Sequence, residues 1–122
     1  MAASGIPGPL AERMVALRRA IHSNPELSHE ERATAALVHK TLGDAGITES
    51  TPVFNTGLVA TIRGAKPGRT LALRGDMDAL PIDERRPDLP FCSKNPGVMH
   101  ACGHDGHTTI VAGVAMQLHA TR

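Results

Sequence analysis

Eight consecutive residues, His100-Ala101-Cys102-Gly103-His104-Asp105-Gly106-His107, gather a thiol, three imidazoles and a carboxylate around two glycines. Cys-x-His sets a soft sulfur and a borderline nitrogen close together, a donor pair suited to Zn²⁺ and its neighbours. Gly103 permits the tight backbone turn that lets both side chains aim at one ion. Asp105 reads either as a carboxylate that orients an imidazole or as a helix cap. His100 and His107 either line the same site or are a solvated and a helix-start histidine. The bland alternative is a surface loop rich in histidine by chance. A zinc finger built on Cys92, Cys102, His104 and His107 competes, but its nine-residue gap between cysteines does not fit short finger patterns.

A second cluster, Arg74-Gly75-Asp76-Met77-Asp78-Ala79-Leu80-Pro81, directly follows the apolar run Thr70-Leu71-Ala72-Leu73. Two carboxylates two residues apart then stand where a strand opens into a loop, the place where α/β sheets hold ligands. The simpler reading makes Asp76 and Asp78 turn caps, one of them paired with Arg74.

These clusters need elements to hold them. Leu10, Met14, Leu17 and Ile21 recur at 4-3-4 spacing and predict an amphipathic helix from Pro9. Asn24-Pro25 ends it, because the residue before a proline avoids the helical region. Ser28-His29-Glu30-Glu31 fits a capping box and predicts a second helix from Ser28, with Ala35, Val38 and Leu42 on its apolar face. Gly43 and Gly46 supply its stop. Extended segments are expected at 51–54, 58–62 and 70–74, with turns at Asn55-Thr56-Gly57 and 64–68. The 70–74 run is apolar enough to be buried on both faces. Residues 79–99 contain Pro81, Pro87, Pro90 and Pro96 and read as a long loop, of the kind that is functional or disordered. A third helix starts near Asp105 or Thr108, with Ile110, Val114 and Leu118 in one row. That row has no covering element, so the chain reads as the N-terminal piece of something longer.

Composition narrows the class. The 122 residues carry 13 Lys plus Arg against 12 Asp plus Glu, which argues against a basic nucleic-acid module and against an acidic tail. With no Trp, no Tyr and only Phe54 and Phe91, the core must be aliphatic, and base-stacking surfaces are not expected. No apolar run approaches the roughly 20 residues that span a bilayer. The first residues show neither a basic n-region nor an apolar h-region, so a cytoplasmic location is expected. Two cysteines do not make a disulfide scaffold.

The three segments Leu17-Arg18-Arg19-Ala20-Ile21-His22 with Asn24-Pro25-Glu26-Leu27-Ser28, RGDMDALPI at 74–82 and NPGVMHACGHDGHTT at 95–109 occur in an order that resembles a metal-dependent amidohydrolase family. Its members include hippurate hydrolases, N-acyl-amino-acid amidohydrolases, N-acetyl-diaminopimelate deacetylases and plant auxin-conjugate hydrolases, within the aminoacylase and carboxypeptidase group of zinc exopeptidases. The resemblance covers residues from about 10 to 120 and implies an α/β fold: part of a catalytic domain, a mixed sheet flanked by helices, with the lid domain absent. Residues 1–8 are expected to be a disordered N-terminus, and 9–122 the N-terminal part of the catalytic domain.

The resemblance further implies that Cys102, as thiolate, and His104 are metal ligands. Asp78 belongs to the catalytic set as a carboxylate that supports the site rather than binding metal directly, and Asp76 stands where the wider superfamily has a ligand histidine. The cofactor implied is a divalent pair, zinc or else manganese, cobalt or nickel. It would polarise an amide and acidify water for a glutamate base that lies beyond these residues. Cys92 is a bystander thiol. The expected activity of the full-length protein is hydrolysis of N-acyl amino acids, hippurate-like or N-acetyl, as a small-molecule enzyme without nucleic-acid or membrane partners and with homodimerisation through the lid. The competing class is an inactive remnant or a small metal-binding module.

Overall fold

The computed structural model describes residues 5, 6 and 8–122, so most of the expected disordered stretch at 1–8 lies outside the described residues. The element order is α1 (Gly8–Ser23), α2 (Arg32–Asp44), β1 (Ser50–Val53), β2 (Gly57–Ala60) and α3 (His104–Thr121). The strands pair antiparallel, with Val53 opposite Gly57 and Ser50 opposite Ala60. Phe54 and Asn55 turn the hairpin with φ of 49° and 68°.

The core is aliphatic, as the composition requires. Leu17 and Ile21 from α1, Val38 and Leu42 from α2, Ile47, and Ala112 and Met116 from α3 form one buried cluster. Its geometry follows from α1 lying along α3. The face of α3 that meets α1 is the small one, Ala112 and Gly113 with Met116, and a Cβ on Gly113 would fall 2.6 Å from the Met14 sulfur. The bulkier row Ile110, Val114 and Leu118 is on the outside, 56%, 36% and 50% exposed. The expectation that this row lacks a cover therefore holds among the described residues.

Two local expectations are corrected. The second helix begins at Arg32, not at Ser28, and no side-chain cap bond comes from Glu31. His29 turns the chain with φ of 70° before the helix starts. The free helix N–H groups are instead taken by Glu26: Ala33 N–H donates to Oε1 at 3.0 Å, and Thr34 N–H and Oγ1 both donate to Oε2 at 2.7 Å. A carboxylate from outside the helix thus does what a capping box would have done, with the helix dipole in its favour. At the other end Gly46 adopts φ of 88°, and the Gly46 and Ile47 N–H groups return to the carbonyls of Gly43 and Leu42, a glycine stop of the kind expected.

The second correction concerns 70–74. These residues are exposed and unpaired, because no strand among the described residues lies beside them. The only sheet among those residues is the β1–β2 hairpin, with α2 packed on it. No helix of the described residues is long and apolar enough to cross a membrane.

Candidate functional site

The long loop is tied down. Lys94 N–H donates to Ser23 O at 2.9 Å, and the Asn95 amide donates to Pro25 O at 2.7 Å. Ala79 N–H donates to Glu26 O, and Leu80 exchanges backbone hydrogen bonds with Met99. The segments that stand out in the sequence, at 17–28, 74–82 and 95–109, are therefore stitched to one another through backbone groups.

The 75–78 segment lies against the first turns of α3. Gly75 sits so close that a Cβ would meet His107 O at 3.0 Å and Val111 Cγ2 at 3.1 Å. Thr108 Oγ1 donates to Asp76 O at 2.8 Å. This packing delivers Asp78 to His104. The ring nitrogen Nδ1 of His104 lies 2.9 Å from Asp78 Oδ1 and 3.0 Å from Asp78 O. A carbonyl oxygen cannot donate, so Nδ1 carries the proton. In the neutral ring Nε2 is left with its lone pair free, the arrangement by which a carboxylate aims a ligand histidine.

Gly103 turns the chain between Cys102 and His104 with φ of 89°, the left-handed conformation that glycine adopts at low cost. Cys102 is an exposed free thiol on that turn. The exposed His107 places its ring 5.4 Å from that of His104. Asp76 points elsewhere, to an ion pair with Arg74 at 2.8 Å on the surface.

Among the described residues no three His, Cys, Asp or Glu side chains are grouped closely enough to hold a metal ion, so the four-residue finger is not assembled. Cys92 sits instead beside Glu84, where burial and that carboxylate push its thiol up, away from the thiolate form. The donor chemistry nevertheless fits part of a metal centre. An imidazole whose Nε2 is free and whose Nδ1 faces a carboxylate, with an accessible thiol two residues earlier, offers two donors of the kind that suit a borderline divalent ion.

A second polar cluster lies behind this one. Asp105, 1% exposed, accepts from Arg18 Nε at 2.7 Å and lies 2.8 Å from His22 Nδ1, within hydrogen-bond distance. His22 Nε2 lies 2.9 Å from Glu84 Oε1, within hydrogen-bond distance, and Ser93 N–H donates to Glu84 Oε2 at 2.6 Å. Burial alone would raise both carboxyls. In Glu84 the bonds from His22, Ser93 and Cys92 win, and in Asp105 the His22 bond and the Arg18 charge win, so both stay below their ordinary range. Of the two roles open to Asp105, it orients an imidazole, but that of His22 rather than a metal ligand. Glu84 is absent from the sequence reading, since an acidic residue in a proline-rich loop gives no signal of burial. His100 is buried with neither ring nitrogen bonded, and burial pushes its pKa down against the pull of Asp105, which keeps it neutral.

Fold and donor set together fit part of a hydrolase catalytic domain, and comparison with known proteins shows which family the chain resembles. Residues 72–122 match the model of peptidase family M20/M25/M40. An N-acyl-L-amino acid amidohydrolase of Geobacillus stearothermophilus is 50% identical over 102 residues, 84% of this chain and 27% of that one. Thermostable carboxypeptidase 2 of Saccharolobus solfataricus is 51% identical over 106 residues, 86% of this chain and 27% of that one. Among solved structures, the Bacillus subtilis YXEP protein, described as a dinuclear metal binding peptidase from the M20 family, superposes with a TM-score of 0.88 at 42% identity. The match covers 95% of this chain and 33% of that one. Residues 72–122 thus match this peptidase family's model, and the chain is similar to these relatives along most of its own length while spanning between a quarter and a third of theirs.

Proposed function

We propose that the protein to which these residues belong hydrolyses the amide bond of N-acyl amino acids with divalent metal, and that Cys102 and His104 are two of its ligands. The observation that carries the reading is the Asp78–His104 contact, which fixes the proton on Nδ1 and leaves Nε2 for a metal. Asp78 is then a positioning residue. The reading also draws on relatives named for this chemistry, an N-acyl-L-amino acid amidohydrolase and an N-acetyl-L-cysteine deacetylase of Bacillus subtilis. Divalent ions bound at such a site supply Lewis acidity, polarising a carbonyl and acidifying water. The residues of this chain contribute donors and their orientation: Gly103 sets the turn, Asp78 aims the imidazole, and Gly75 with Thr108 fixes where Asp78 stands.

A second reading, a metal-binding module without turnover, is favoured for the chain by itself. Two protein donors fall short of the three that a catalytic zinc uses, and no larger cluster exists among the described residues. Purified and loaded with zinc or manganese, the 122-residue chain is expected not to hydrolyse hippurate or N-acetyl-methionine. The ligand assignment is tested by Co²⁺ titration of the same chain. A thiolate-to-cobalt absorption band that survives Cys92→Ser and disappears in Cys102→Ser supports it. A band that depends on Cys92 overturns it.

A further inference from the structure

The buried cluster behind the site has no part in the ligand reading, yet it ends on the residue next to a ligand. Asp105 follows His104 in the first turn of α3. Its carboxylate is held by Arg18 and His22, both on α1. The far nitrogen of His22 is held in turn by Glu84, whose second oxygen is fixed by the Ser93 backbone. Side-chain exposures of 7%, 3% and 1% for His22, Glu84 and Asp105 put all three groups out of reach of bulk water. Hydrogen bonds to charged partners are shorter and stronger than neutral ones, and a buried ion without its partner is costly. The first turn of α3 is thereby gripped on two sides, through Asp105 by Arg18 and His22 of α1, and by Gly75, Asp76 and Asp78 from the preceding segment.

We propose that His22 is a positioning residue for the metal site: through Asp105 it sets the rotation of the first turn of α3, and so the direction in which His104 presents Nε2. The proposal rests on the ligand reading above. Its core is a division of labour between the two ring nitrogens. Nδ1 faces Asp105 and acts on the site, whereas Nε2 faces Glu84 and anchors the loop.

Two near-isosteric substitutions separate those functions. In His22→Asn the side-chain amide nitrogen stands close to the place of Nδ1, keeping the Asp105 bond and losing the Glu84 bond. In His22→Gln it stands close to the place of Nε2, keeping Glu84 and losing Asp105. Co²⁺ titration of the 122-residue chain gives affinity and the ligand-field bands that report coordination geometry. Urea denaturation of the same samples gives stability.

The proposal expects His22→Asn to stay within about threefold of the parent affinity and His22→Gln to fall by about tenfold or more with shifted ligand-field bands, the scale seen when a ligand's orienting partner is removed. Should His22→Gln not fold, Arg18→Gln releases the same carboxylate from the solvent side, and is expected to lower affinity in the same direction. Affinities that follow stability in both variants, whichever bond is kept, overturn the positioning role and leave the ligands intact. A parent chain without any Cys102-dependent band overturns the ligand reading itself.

Discussion

Replacing Gly75 by alanine tests whether the packing of 75–78 on α3 builds the site. The new methyl would lie 3.0 Å from His107 O, 3.2 Å from His107 C and 3.1 Å from Val111 Cγ2. Two of those atoms are helix backbone and cannot step aside, so the 75–78 segment must lift by a few tenths of an ångström. Overpacking of this kind costs about 1–3 kcal/mol. Lifting the segment also loosens the Thr108–Asp76 bond, a further ~1 kcal/mol. Against this, alanine restricts the unfolded chain by about 0.4–1 kcal/mol. The net expectation is a loss of about 1–3 kcal/mol, a fall of about 1 M in urea midpoint at a slope of about 1–3 kcal/mol per M. Gly113→Ala is the control. Its methyl would come nominally closer, 2.6 Å from the Met14 sulfur, but that is the mobile end of a half-buried side chain, and a mid-helix alanine gains about 1 kcal/mol over glycine. Gly113→Ala should therefore stay within about 1 kcal/mol of the parent. Urea denaturation measures both, and long-range ¹H–¹⁵N correlation of His104 reports whether Nδ1 keeps its proton. If Gly113→Ala proves the more damaging of the two, or Gly75→Ala leaves midpoint and tautomer unchanged, the packing argument fails.

Glu26→Gln should cost about 1–2 kcal/mol and speed amide exchange at Ala33 and Thr34, while Ser28→Ala changes neither; the reverse pattern in exchange NMR would restore the capping box. Glu84 and Asp105 have carboxyls held below their ordinary values of 4.5 and 3.8, so their contribution is complete above those values and is lost as pH falls through the lower native ones. Acid denaturation followed by circular dichroism should show a steeper loss below pH 4 in the parent than in Asp105→Asn, and equal slopes would contradict the network's role. Asp78→Asn should lower Co²⁺ affinity by about tenfold, measured by titration, because the carboxylate that aims His104 is gone.

The chemistry and the local turns were legible in the residues themselves. A donor-rich run such as 100–107 displays its candidate donor atoms in one dimension, and Gly103 declares the turn between two of them. The 4-3-4 row of α1 and its end at Asn24-Pro25 are also local facts, set by helix period and by the proline clash. Other features depend on what lies across space. Ser28 and Glu31 satisfy a capping pattern, yet Glu26 takes the N–H groups, because His29 turns the chain and brings that carboxylate over the helix end. The bulkiest row of α3 looks like its buried face, yet α1 approaches so closely that only the Ala112–Gly113 face fits, and Ile110, Val114 and Leu118 turn outward. Leu71 and Leu73 read as a buried strand, but a strand is made by its neighbours' hydrogen bonds, and none of the described residues supplies them. Asp78 meets His104 across 26 positions, and His22 meets Asp105 across 83. Residue types determined which groups could carry the chemistry; packing decided which proton sits on which nitrogen, because that depends on the acceptor facing the ring.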